Sequence, residues 1–355
     1  MNAKHTPDDD RHERGEPIPE RGEPIDPAKV TPTPSPLASL PNLAELSNGI
    51  DWFTVKPPPI PMLFTRQHNG NTVGAVPRGQ VMILAAPGGV GKTFAGIGAC
   101  LAVATGGRWL GHFGVTEAGS VVGLFGETSK EVLWSRLQAI YKSMDAGRAP
   151  LDLERAKQRL RLLPLAGKAA RLLVTNGSGG AVPTPDHAAL LASLREIEDL
   201  RLVVVDTLAR FGAPDCEVSQ TLATDTLVAL ETIANLPSKP VVIALHHTSQ
   251  QSRQQTSAGK DTDASGVRGV TAITDNARVV WMMEAAGQGE LSDFVWLKSR
   301  KGNDVEASQD TWLLVRKAGG ALHKLDADDQ ARYTALKSPT KSSGDGGSSK
   351  PVWPT

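Results

Sequence analysis

The residues with the plainest chemistry are the run Pro87-Gly88-Gly89-Val90-Gly91-Lys92-Thr93, preceded by Ala86. Its glycines let backbone N–H groups wrap around an anion, and a helix starting behind them aims its positive end at the same point. Lys92 is placed to reach the β- and γ-phosphates of a nucleoside triphosphate, and the Thr93 hydroxyl to bind Mg²⁺. Ala86 stands where the usual pattern has glycine, which costs little if its φ stays negative. The implied ligands are ATP and Mg²⁺.

A second set of residues would act on what this loop holds. Asp206 ends the apolar run Leu202-Val203-Val204-Val205, a strand expected beside the phosphate loop, where a carboxylate holds Mg²⁺ directly or through water. The next residue is Thr207, not an acid, so the base that polarises the attacking water must come from elsewhere. Glu127, just past the strand Ser120–Phe125, is the candidate; its alternative is to stabilise the start of the following helix, beside Thr128. A base displaced to the neighbouring strand separates RecA-like ATPases from AAA+ ones, and this sequence falls on the RecA side. The run Val241–Leu245 ends in His246-His247. Neighbours on a strand face opposite sides, so the two do not share a metal and one faces the nucleotide; His247 is the choice. The polar stretch 249–265 carries Arg253 and Lys260, with Arg268 just beyond. Such side chains suit the backbone phosphates of single-stranded DNA, and the alternative is an ordinary surface loop. Arg278 is expected to open a strand at the edge where a second subunit docks. It would serve there as an arginine supplied in trans, or form a surface salt bridge.

The elements that must position these groups are legible as apolar runs alternating with helical patterns, which argues for parallel βαβ units. Strands are expected at Val81–Ala85, Ser120–Phe125, Arg161–Leu163, Leu202–Val205 and Val241–Leu245. Helices are expected over about 91–104, 128–144, 151–160, 186–197 and 219–234, with Thr128 and Glu131 forming a capping box. Short alternating strands follow at 278–283, 294–299, 312–316 and 321–325, the last two joined at Gly319-Gly320. The expected fold is therefore α/β: a RecA-like αβα sandwich with a mainly parallel central sheet and an antiparallel C-terminal extension.

At 355 residues and 40% hydrophobic, the chain can bury one large α/β core. Residues 1–40 are Pro-rich and charged, with the near-repeat Arg14-Gly15-Glu16-Pro17-Ile18 and Arg21-Gly22-Glu23-Pro24-Ile25. Residues 336–355 are rich in Ser, Gly and Lys. Both read as disordered extensions of an ATPase domain spanning 41–335. The formal net charge is zero, so a DNA site must be a local loop or channel lining rather than a whole-molecule field. Cys100 and Cys216 give no metal or disulfide spacing. No signal peptide and no run near the ~18 apolar residues of a membrane span is seen, so a cytoplasmic location with no membrane partner is expected.

Together these segments resemble RepA-type hexameric replicative helicases of plasmids, from about Pro57 to Leu325. The resemblance is carried by Thr72-Val73-Gly74-Ala75, the phosphate loop, Gly126-Glu127 and Arg201–Phe211 with its Asp206-Thr207-Leu208-Ala209-Arg210-Phe211 run. It continues through Leu245-His246-His247, Asp275-Asn276-Ala277-Arg278 and Ser299-Arg300-Lys301-Gly302-Asn303. It implies ATP–Mg²⁺ on Lys92 and Thr93, Glu127 as base, Asp206 on the metal, His247 sensing phosphate and Arg278 reaching into the next subunit. Lys301 and Asn303 would belong to a late Lys-x-Asn element near the subunit interface. It also implies single-stranded DNA as partner, a homo-hexameric ring, and replication proteins recruited by the tails. A recombination or repair ATPase that forms filaments, and a nucleotide-switched regulator, are the alternatives from the residues; a small-molecule kinase fits least.

Overall fold

Strands that are apolar at every position need cover on both faces, and that requirement organises this molecule. A computed structural model describes residues 54, 56–145, 152–248, 271–303, 305 and 310–338. The chain divides between Lys56 and Pro57, and the architecture below is that of the part beginning at Pro57.

The elements in chain order are β1 (Met62–His68), β2 (Asn71–Pro77), β3 (Val81–Ala86), α1 (Lys92–Thr105), β4 (Arg108–Trp109), β5 (Phe113–Val115) and β6 (Ser120–Phe125). Then come α2 (Lys130–Asp145), α3 (Leu153–Arg159), β7 (Leu160–Pro164), β8 (Leu173–Thr175), β9 (Ala181–Pro183), α4 (Pro185–Arg195) and β10 (Leu200–Asp206). The chain continues through α5 (Leu208–Phe211), α6 (Gln220–Ala234), β11 (Val241–His247), α7 (Thr271–Asn276), β12 (Val279–Ala285) and β13 (Phe294–Gly302). It closes with β14 (Thr311–Arg316), β15 (Leu322–Lys324) and α8 (Ala327–Lys337).

Among the described residues the main sheet has nine strands, in the order β15-β14-β13-β12-β3-β11-β10-β6-β7. From β12 to β7 every pairing is parallel; β13, β14 and β15 add antiparallel strands at one end. This is the RecA-like α/β fold, and the expected antiparallel extension is present. Alternation along the strands sorts the core in two. Met82, Leu84, Leu202, Val204, Ile243 and Leu245 pack on the side of α1, while Ile83, Ala85, Val203, Val205, Val242 and Ala244 pack on the side of α6. The two sides of one strand are thus committed by a period of two.

Several features differ from the sequence-based expectation. A small antiparallel sheet, β2-β1-β5-β4, caps the α1 side; β1 and β2 form a tight hairpin turning at Asn69-Gly70, a local signal the sequence reading passes over, whereas the pairing of β1 with β5 is non-local. Strands β8 and β9 are not expected from the sequence; they pair as a hairpin closed by the Gly-rich segment after Thr175. Helix α2 is capped by Ser129, whose hydroxyl accepts from the Val132 N–H at 3.4 Å. Thr128 is instead buried, accepting from Arg136 at 3.5 Å: the cap lies one residue later because Thr128 is drawn into the site. Arg278 leads into β12, which is flanked by β3 and β13, so it is not on a sheet edge. Finally, α8 runs to Lys337 behind an Asp326/Asp329 capping box, past the expected start of the C-terminal tail.

Candidate active site

The phosphate loop joins β3, buried along its whole length, to α1. Ala86 belongs to that strand and is absent from the residues with positive φ, so no glycine is required there. Gly91 caps α1 with φ 114°, a left-handed conformation that disfavours side chains. A Cβ there would also meet Leu322 Cδ1 at 2.9 Å. The loop is therefore a glycine loop for two independent reasons, backbone conformation and the approach of β15.

The strand period then fixes which groups face it. Positions 202, 204 and 206 of β10 share the α1 side, as do 243, 245 and 247 of β11, so Asp206 and His247 project toward the loop while His246 projects toward α6. β11 lies between β3 and β10, so Asp206 reaches the loop across one intervening strand. The Thr93 hydroxyl donates to Asp206 Oδ2 at 2.8 Å. Lys92 Nζ is 3.1 Å from His247 Nδ1. With Nδ1 accepting from the ammonium, the ring proton sits on Nε2, which lies 3.9 Å from Glu127 Oε2. The other oxygen of Glu127 accepts from Thr207 Oγ1 at 3.2 Å. Glu127 follows β6, the strand next to β10, and Thr207 directs it rather than replacing it.

Burial pushes the Asp206 carboxyl above the ordinary carboxylate range, against the opposing pull of the Thr93 hydroxyl and Lys92. A carboxylate that is only 2% exposed and short of solvation favours a cation beside it. Asp206 and Thr93 offer hard oxygen donors, which fit Mg²⁺ completed by phosphate oxygens and water. Among the described residues no group of three or more His, Cys, Asp or Glu could hold a metal on its own. Burial also moves the His246 imidazole down to about 4. Its Nδ1 lies 3.5 Å from Glu217 Oε1, but that carboxyl is raised by burial, so the contact does not restore the charge.

Lys92, Thr93, Glu127 and His247 line a cleft of about 470 Å³ that also includes Arg136 and Arg316. Arg136 stands 5.4 Å over the Phe94 ring. Arg316, at the end of β14, donates to the carbonyls of Gly89 at 3.3 Å and Val90 at 3.0 Å. Sequence reasoning singles out neither arginine; a helical repeat beginning at Thr128 could have pointed to Arg136, whereas Arg316 reaches the loop only through the antiparallel strands. Arg278 lines a different hollow with Gly79, Glu231 and Asn235, at the opposite ends of β3 and β12. Lys301 Nζ donates to the carbonyls of Thr274 and Asp275, the latter at 2.7 Å. Arg253, Lys260 and Arg268 lie outside the described residues, as do most of the two expected tails.

Residues 64–253 match the family described as AAA domain. No curated protein matches the sequence. Among solved structures, the chain is similar to "The Structure Of A DnaB-Like Replicative Helicase And Its Interactions With Primase", at 15% identity and a TM-score of 0.50 over 70% of this chain. The chain spans 58% of that protein's length. A second solved structure, an isolated ATPase domain, is similar at 15% identity and a TM-score of 0.49, over 70% of this chain and 86% of that one.

Proposed function

The chain belongs to the AAA domain family, and from that premise we propose that it is an ATP-driven motor of the RepA-type replicative helicases, moving on single-stranded DNA and separating duplex as a homo-hexameric ring. The observation that carries the reading is the convergence of Lys92, Thr93, Asp206, Glu127 and His247 on one face of adjacent parallel strands. In this reading the loop N–H groups and Lys92 bind the β- and γ-phosphates, and Thr93 and Asp206 hold Mg²⁺, which supplies charge neutralisation on the phosphate oxygens. Glu127 orients and deprotonates the attacking water, its carboxylate steered by Thr207 and facing His247. His247, between Lys92 and Glu127, registers the departure of the γ-phosphate as its contact to Lys92 changes. Arg278 completes the site of a neighbouring subunit; what supports this reading is that it lies at the opposite end of β3 and β12 from its own phosphate loop. The channel contact to DNA falls to Arg253, Lys260 and Arg268, and the tails recruit replication proteins.

The test is strand displacement on forked substrates with a 5′ or 3′ single-stranded arm, together with ATP hydrolysis with and without oligo-dT. Displacement that needs ATP and is abolished in Lys92→Ala supports the motor. ATP hydrolysis indifferent to DNA, with no displacement on either fork, excludes it.

A further inference from the structure

On the α6 side of the sheet, next to the site but separate from it, Lys168, Arg171 and Arg210 line one cleft of about 330 Å³ with a single acid, Asp186. All three cations are exposed. The Lys168 and Arg210 side chains make no ion pair or hydrogen bond among the described residues. Arg171 only donates to the backbone carbonyls of Ala209 and Gly212, at 3.5 and 3.0 Å. Three cations gathered without carboxylate partners repel one another, an arrangement that an anion would relieve. Among the described residues the lining contains no exposed aromatic, since Phe211 is 2% exposed, so these residues offer charge for phosphate and no platform for bases.

Its floor is Gly126, the residue before Glu127. A Cβ on Gly126 would lie 3.1 Å from Arg210 Cβ, and the Gly126 N–H donates to the Asp206 carbonyl at 2.6 Å. The segments bearing Glu127, Asp206 and Arg210 are therefore in direct contact. We propose that this cleft binds a backbone phosphate of single-stranded DNA, a second contact independent of the loop 249–265 and joined through Gly126 to the hydrolytic glutamate. The assignment rests on the motor reading.

The experiment is fluorescence anisotropy of labelled oligo-dT with the full chain and ATP, over a salt series, for wild type, Lys168→Ala/Arg210→Ala and Lys168→Arg/Arg210→Lys. Thermal melts serve as the control for folding. Because the two alanines remove the contact to one DNA phosphate, the alanine pair should show a log–log salt dependence shallower by about 0.7 and bind about tenfold more weakly at low salt. The charge-keeping pair should restore the slope. A wild type that binds no oligo-dT overturns this assignment and the motor together. Binding with the same slope in the alanine pair overturns this assignment alone, as does an effect confined to oligo-rU or one reproduced by inorganic phosphate at its cellular millimolar range.

Discussion

Glu127 is half exposed, and its two oxygens have different neighbours: Thr207 donates to one and His247 faces the other. A carboxylate so steered keeps room for a water while its direction is fixed, which is what in-line attack needs. Glu127→Gln keeps the size and both contacts but removes the base. ATP binding, read by a fluorescent analogue, should persist while hydrolysis falls by about 10²-fold or more; retained turnover would assign the base to another residue. Gly91→Ala tests the loop itself. Its φ of 114° and the 2.9 Å approach of Leu322 both resist a methyl group. An alanine held in that left-handed conformation costs about 1–3 kcal/mol, and we expect nucleotide affinity to drop by about tenfold or more, measured by equilibrium titration.

Helix α1 carries the loop, so its placement is decided by what it packs against. Trp109, from β4, is fully buried and donates its indole N–H to the Ala95 carbonyl of α1 at 2.8 Å. The same ring stacks on Trp281 of β12 at 5.6 Å between centroids and lies 4.9 Å from Phe64 of β1. The small sheet thus holds the first turns of α1 against the main sheet through one side chain. Trp109→Ala should cost about 3–5 kcal/mol of stability, and Trp109→Phe, which keeps most of the ring but not the hydrogen bond, about 1–2 kcal/mol. Denaturant melts separate the two, and equal losses would mean that the hydrogen bond, not the packing of the ring, carries the contact. At the start of α6, Ser219 accepts from the Leu222 N–H; Ser219→Ala should cost about 1 kcal/mol by the same measurement.

At the scale of the molecule, two buried imidazoles that fold without their charge contribute to acid sensitivity. Burial lowers His246 and His112, each to about 4, whereas an unfolded histidine titrates near 6.5. Between those values the unfolded chain holds protons that the folded one refuses, so stability is complete above about pH 6.5 and is lost as pH falls toward 4. For His246, 1% exposed, the loss is roughly 3 kcal/mol. Melting temperatures measured from pH 7.5 to 4.5 should fall steadily, and His246→Gln should flatten that fall; an unchanged slope would remove His246 as its source.

The phosphate loop, Asp206 and Glu127, and the parallel core that carries them, were legible in the sequence because each depends on local pattern: glycine spacing, an acid ending an apolar run, a helix starting behind a strand. The period of two required that only one of His246 and His247 face the loop, since adjacent strand residues cannot face one way; the contact with Lys92 shows that it is His247. What local pattern could not supply was contact between distant segments. Arg316 reaches the phosphate loop only because three antiparallel strands follow β12 in the same sheet. Thr128 leaves its capping position for a buried one beside Arg136, a choice made by packing and not by helix propensity. The cation cleft of Lys168, Arg171 and Arg210 joins the segment after β7, the approach to β8 and helix α5, segments whose charges look like ordinary surface in the sequence and become one site only when the sheet sets β6 beside β10.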